Sequence, residues 1–141
     1  MDLDRAALRR MLILEEGMRL KLYRDSKGLN TIGVGRNLDA NGVSREEALL
    51  MLENDISDVI EDLNRVMPWW HDLVEPRQRV LADMRFNMGM RSLSLFKQTL
   101  ALVRAGDYEQ AADHMMHTPW ADQVGPRAVK LVGMMRTGLD P

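Results

Sequence analysis

Glu16, Asp25 and Thr31 are the side chains whose types and spacing could do bond-breaking chemistry, standing as Glu-x8-Asp-x5-Thr within LEEGMRLKLYRDSKGLNTIGVGRNL at 14–38. Two carboxyls and a hydroxyl on different local structures suit the cutting of a bond between sugars. Such a cut needs one carboxylic acid to protonate the leaving oxygen, and a carboxylate on the other face to activate water or attack the ring. The acid must keep its proton near neutrality, through burial or a nearby negative charge, while the second group must be ionised. Glu16 falls where an amphipathic segment meets an alternating one, a natural cleft wall. Asp25 opens the polar turn Asp25-Ser26-Lys27-Gly28, a wetter place, and Thr31 could hold a water or a substrate hydroxyl on Asp25's side. The spacing alone leaves a plainer alternative open, a helix end followed by a solvated hairpin, because paired acids near turns are common.

The elements that must position these groups can be read around them. Asp4 can cap a helix reaching about Glu15, with Ala7, Leu8, Met11, Leu12 and Leu14 near one face, and Gly17 stops it. Arg19 to Arg24 alternates polar and apolar residues, the period of a half-buried strand; Thr31 to Gly35 reads as its partner across a turn at Lys27-Gly28. Asp39-Ala40-Asn41-Gly42 is a further turn signal, so two or three short strands are expected. Ser44 followed by Glu47 is a capping box. It opens a long helix whose Ala48, Leu52, Ile56, Val59, Ile60 and Leu63 share one face, and Pro68 with Trp69-Trp70-His71 ends it. Glu75-Pro76 looks like a cap and first helical position for a helix stopped by Gly89; its Val80, Leu81, Met84, Phe86 and Met88 make it the expected buried centre. Helices are expected at about Leu95 to Ala105, Asp107 to His117 and Pro126 to Arg136, punctuated by Gly106, Pro119, Gly125 and Gly138.

The chain has 141 residues and 16.1 kDa, with 45% hydrophobic and 28% charged residues, which suits one globular domain. There is no Cys, so disulfides and thiol chemistry are excluded. A net charge of -2, from 19 basic and 21 acidic residues without long runs, argues against broad nucleic-acid binding. The longest unbroken apolar run near the N-terminus is Met11 to Leu14, too short for a signal-peptide core or a membrane span. Accumulation in the cytoplasm, with no stable membrane insertion, is therefore expected. His114 and His117 could share a helix face near Asp113, but His71 is the only other histidine, and no metal site is expected. The 12 methionines read as core filling more readily than as a binding groove. Ala128 to Arg136 is amphipathic but carries few cations, so packing is favoured over membrane contact. Trp69-Trp70-His71 is either a sugar platform or a hydrophobic plug at a helix end.

Set in EEGMRLKLYRDSKGLNTIGVG, the Glu-x8-Asp-x5-Thr pattern closely resembles the catalytic signature of bacteriophage lysozymes of the T-even kind, glycoside hydrolase family 24. The likeness continues in family order through RFNMG at 85–89, GDYEQAA at 106–112, PWADQVGPRA at 119–128 and MMRTG at 134–138, so it covers essentially the whole chain. It implies an α+β lysozyme-like fold: a small β flap at about 17–43, and a mainly helical lobe of 1–16 and 44–141, joined by the long helix. The family is a muramidase that cleaves the β-1,4 bond between N-acetylmuramic acid and N-acetylglucosamine in peptidoglycan, without metal or cofactor. By this resemblance Glu16 is the general acid, Asp25 the second carboxylate and Thr31 its partner in placing the water. Arg127 matches the family arginine that pairs with the catalytic glutamate, and Asn87 stands where the family presents an amide to the sugar. Trp120 matches an aromatic beside the cleft, and reads equally well as a plain core tryptophan.

The chain also departs from the family pattern. Arg36 follows Gly35 where the better-known member has a histidine that helps fix its second lobe; this loss leaves catalysis intact and the anchoring of the flap undecided. The flap is shorter, Ala121 replaces an aromatic, and the acidic balance contrasts with basic relatives. The resemblance implies a monomeric phage or prophage endolysin acting on peptidoglycan strands. It would wait in the host cytoplasm until a holin gave it access to the wall in the periplasm. Two alternatives stay open: a lytic transglycosylase, which uses a single glutamate and leaves an anhydro product, and a lysozyme fold kept for binding or structure without turnover.

Overall fold

The computed structural model describes all residues, Met1–Pro141, as nine α-helices, one 3₁₀ turn and three strands. It divides into two compact units, Met1–Met51 and Leu52–Pro141, and the boundary falls within one long helix.

In the first unit, α1 (Arg5–Glu16) begins where the Asp4 carboxylate accepts the Ala7 N–H at 3.0 Å. It ends at Gly17, whose φ of 74° and N–H bond to the Ile13 carbonyl terminate the helix. Strands β1 (Arg19–Arg24), β2 (Asn30–Gly33) and β3 (Arg36–Asn37) form an antiparallel sheet in that order. Tyr23 stands opposite Thr31, which in turn faces Asn37, while Ile32 faces Arg36. The second strand is shorter than the sequence pattern suggests: it stops at Gly33, and Gly35, with φ at 65°, turns the chain into β3. The expected turn at Asp39–Gly42 is instead a single helical turn, α2 (Leu38–Asn41). The Asn37 side chain caps it by accepting the Ala40 N–H, and Gly42 closes it. The capping box opens α3 (Arg45–Val66): Ser44 N–H donates to Glu47 at 2.9 Å, and Glu47 N–H donates to the Ser44 hydroxyl at 3.1 Å. Thr31 is the one buried residue of this unit; Leu14, Met18, Leu20 and Leu22 are exposed.

The second unit holds the hydrophobic core. Along α3 only Val59 and Leu63 are buried, while Leu52, Ile56 and Ile60 lie open, so just the C-terminal half of the apolar stripe serves as core. A 3₁₀ turn (Pro68–Asp72) follows, burying Trp70, whose indole N–H donates to Asn64 at 2.8 Å; His71 stays exposed. That arrangement is a plug at a helix end. Helix α4 (Glu75–Met88) starts one residue earlier than expected, with Val74 as its cap, Glu75 as its first residue and Pro76 in its first turn. Val80, Leu81 and Met84 are buried, but Phe86 is half exposed and Met88 only partly covered. Gly89 separates α4 from α5 (Met90–Ser94), and the helix expected from Leu95 begins only at Lys97, as α6 (Lys97–Ala105). Then come α7 (Tyr108–Met116), α8 (Pro119–Val124) and α9 (Pro126–Thr137), with α7 packed chiefly on α9 and α6. Helix α8 was hidden by Pro119, which stands at its first position, where a missing N–H costs nothing, and does not act as a breaker.

Arg77 ties α4 to the end of α9, donating to the Met135 and Arg136 carbonyls at 2.8 and 3.1 Å while lying 3.5 Å over the Tyr108 ring. Met67, Met84, Met115, Met134 and Met135 are buried, which is the core-filling use of methionine. No helix is long and apolar enough to cross a membrane.

Candidate active site

The loop from Asp25 to Leu29 builds one side of the site out of main chain. Asp25 is half buried, and its Oδ1 accepts the Lys27 and Leu29 N–H groups at 2.8 and 2.9 Å, an Asx turn of the kind an Asp-Ser-Lys-Gly sequence favours. Gly28 N–H closes the turn on the Asp25 carbonyl. The Leu29 carbonyl then accepts twice, from Asp25 N–H at 3.0 Å and from the Thr31 hydroxyl at 2.8 Å. One peptide residue therefore links the two side chains, and its role was invisible in the sequence because the bonds are made by backbone. Asp25 Oδ2 has no intramolecular donor and is free to meet a water or a sugar. Thr31 is buried to 3% exposure, and its proton is committed to Leu29. Its hydroxyl oxygen keeps lone pairs that can accept from a water. A second carboxylate holds the loop from behind: Asp39 accepts Asn30 N–H at 2.9 Å and the Asn30 amide at 3.2 Å.

Glu16 is the last residue of α1 and is exposed. The burial expected for an acid is therefore absent, and what shapes its surroundings is Gly35. A methyl carbon placed on Gly35 would fall 2.7 Å from Glu16 Oε2, 3.0 Å from Cδ and 3.2 Å from Cγ, so the carboxyl lies directly on the glycine.

Next to Gly35, Arg36 settles how the flap is anchored. Its two terminal nitrogens each donate to one Glu47 oxygen at 2.8 Å, and Nη1 also donates to the Gly42 carbonyl at 3.1 Å. The guanidinium, followed by Ser44, holds the Glu47 carboxyl down to about 2 from an ordinary 4.5. The same contact raises Arg36. Arginine and glutamate thus tie β3 to the first turn of α3.

In the second unit, the residues singled out by resemblance do not share one cavity. Asn87 is exposed near the end of α4. Trp120 is buried to 6% exposure and packs edge-on against Phe96 with ring centroids 6.2 Å apart. It also lines a surface hollow of about 540 Å³ with Thr99 and His114, and its indole N–H has no partner. It is both core wall and cavity lining. Arg127, near the start of α9, lines a different hollow of about 540 Å³ with Ile56, Ala82 and Phe86. Its Nε lies 3.8 Å from Asp83 Oδ1, a buried oxygen without a hydrogen bond. Asp83 was missed in the sequence, where it looks like one more polar position of α4. His114 and His117 are exposed, and His117 Nδ1 pairs with the Asp113 carbonyl at 2.7 Å.

The chain also has relatives among known proteins. The chain is 29% identical to the pre-baseplate central spike protein Gp5 of Enterobacteria phage T4 over 97% of its own length, while spanning only 29% of that protein. It is 25% identical to a probable T4-type lysozyme 2 of Dictyostelium discoideum, covering 94% of this chain and 95% of that one. The endolysin of Salmonella phage P22 is 32% identical, with 70% of this chain and 71% of the endolysin aligned. Residues 14–136, a span containing all six candidate positions, match the phage lysozyme family model. The chain belongs to the phage lysozyme family.

Proposed function

We propose that this phage lysozyme family member is a peptidoglycan hydrolase that adds water across the β-1,4 bond between N-acetylmuramic acid and N-acetylglucosamine, and that it serves in lysis of a bacterial host. The observation that carries this reading is the Leu29 bridge, which couples a carboxylate with a free oxygen to a buried hydroxyl. In this reading Glu16, on its glycine seat, gives a proton to the leaving oxygen. A sugar bound over the carboxyl strips water from it and supplies the desolvation that the exposed side chain lacks alone. Asp25 Oδ2 and the Thr31 oxygen hold the attacking water from the other face, and Asp25 accepts the proton that the water loses as its oxygen bonds to the sugar carbon. By the family resemblance, Arg127 and Asn87 are proposed to offer a sugar a charged and an amide donor, respectively. The likeness to an endolysin supports the role in host lysis.

The likeness to a spike protein favours a second reading, in which such a unit is carried in a phage particle and kept there for binding. The complete Glu16, Asp25 and Thr31 set speaks for turnover in either setting. Digestion of purified Gram-negative peptidoglycan by wild type and Glu16→Gln, read by mass spectrometry, tests the proposal. Hydrated muramic-acid ends from wild type and almost none from the variant are expected. Anhydro ends would move the protein to the transglycosylases, and glycan binding without products from either protein would leave a binding module.

A further inference from the structure

We propose that Gly35 and Arg36 together form a positioning seat for the catalytic glutamate: Gly35 leaves the space its carboxyl occupies, and the Arg36–Glu47 clamp keeps that space from moving. This rests on the reading of Glu16 as the acid. The first half follows from packing. Any side chain at position 35 would overlap the Glu16 carboxyl at 2.7 Å, and the positive φ of 65° disfavours one on backbone grounds as well. The overlapped atoms belong to the reacting group itself, so relief means moving the acid.

The second half follows from connectivity. Gly35 lies in the short link between β2 and β3, and β3 is only two residues long, so strand pairing alone holds it weakly. The fork-on-fork contact of Arg36 with Glu47, together with its bond to the Gly42 carbonyl, fixes the residue next to the seat to α3. Glu47 is itself immobilised, since Oε1 also accepts Ser44 N–H in the capping box. Asn37, one residue further, pairs with Thr31, so the same clamp steadies the hydroxyl on the other side. Lysine would keep the charge but lose the two parallel bonds, and glutamine at 47 would keep the shape but offer only one acceptor oxygen.

A kinetic cycle on a soluble glycan-strand substrate tests this. A misplacement of about 1 Å can cost roughly 100-fold in rate, so Gly35→Ala is expected to lower kcat by about that factor with KM changed less than about twofold. Arg36→Lys and Glu47→Gln are each expected to lower kcat about tenfold. The double variant should be no worse than either single one, because both break one clamp. Multiplying effects, or losses in KM alone, would overturn the proposal. Labelling glutamate with ¹³C gives a readout that needs no turnover. The Glu16 carboxyl resonance, assigned by its loss in Glu16→Gln, should shift in Gly35→Ala and in Arg36→Lys while circular dichroism shows both folded. An unmoved resonance in both would sink the seat. A wild type without turnover whose Glu16 resonance responds as expected would refute hydrolysis and leave the seat standing.

Discussion

Replacing Thr31 by valine separates chemistry from stability, and the structure sets both magnitudes. The two side chains are nearly the same shape, so the buried position stays filled. What disappears is a hydroxyl that donates to the Leu29 carbonyl at 2.8 Å. That carbonyl keeps its bond from Asp25 N–H at 3.0 Å, so no buried acceptor is orphaned. The cost should then sit near the net worth of one ordinary hydrogen bond, about 1 kcal/mol, which lowers Tm by about 4 °C. The rate should suffer far more. Without the hydroxyl oxygen the water loses one of its two holders, and positioned proton-transfer partners contribute roughly 100-fold or more, about 2.7 kcal/mol in the barrier. The assay is release of reducing ends from glycan strands at 25 °C, beside a thermal melt of the same preparation. Thr31→Ser, which restores the hydroxyl, should recover much of the rate. Activity of the valine variant within about threefold of wild type, or a serine variant as dead as valine, would refute the role given to Thr31.

Other perturbations follow from the same structure. Leu81→Ala, at a side chain 1% exposed in the core, should cost about 2–5 kcal/mol in a denaturant titration without changing the rate per folded molecule. Glu47→Gln should respond to acid differently from wild type. The folded carboxyl sits at about 2 because of Arg36, below its ordinary 4.5, so its contribution is complete above about pH 4.5 and fades as pH falls toward 2. The stability gap between the two proteins should therefore be flat above pH 5 and close on acidification; a gap that widens would contradict the clamp. Arg127→Gln should change stability by less than about 1 kcal/mol, because its contact with Asp83 is loose and partly exposed. It should nevertheless lower the hydrolysis rate by about tenfold, the value of one charge-assisted hydrogen bond to substrate. Equal rates would refute the proposed contact of Arg127 with substrate.

What could be read from the sequence was what local chemistry dictates. The Asp4 cap, the stop at Gly17, the hairpin around Lys27-Gly28 and the Ser44–Glu47 box all follow from residues acting on their near neighbours, and all are present. Proline misled at one place, where its position in a helix mattered more than its identity: Pro119 starts α8, whereas Pro76 opens α4 much as its place after Glu75 suggests. Periodicity also overreached. It marks Leu52, Ile56, Ile60 and Phe86 as apolar positions on helices, but not that they stay open to solvent. At the site, the residue types of Asp25 and Thr31 were legible, and the peptide joining them was not, since Leu29 contributes backbone alone. Arg36 was visible as a departure from a family histidine. Its pairing with Glu47 arises only in the fold, because that partner is chosen by the path of the chain.

The uneven burial of the two units has a consequence for how the molecule breathes. Met1–Met51 contains a single buried residue, whereas Leu52–Pro141 encloses the whole apolar cluster. Burial of apolar surface is the main favourable term in folding, so the two units cannot open with the same free energy. Amide protons of β1 and β2 should exchange through partial openings, while those at the centre of α4 wait for global unfolding. Glu16, Asp25 and Thr31 all lie in the labile unit. On warming, the proposed hydrolysis should therefore fade at temperatures where the helical signal is still intact, and return on cooling as promptly as so small a unit can reorder.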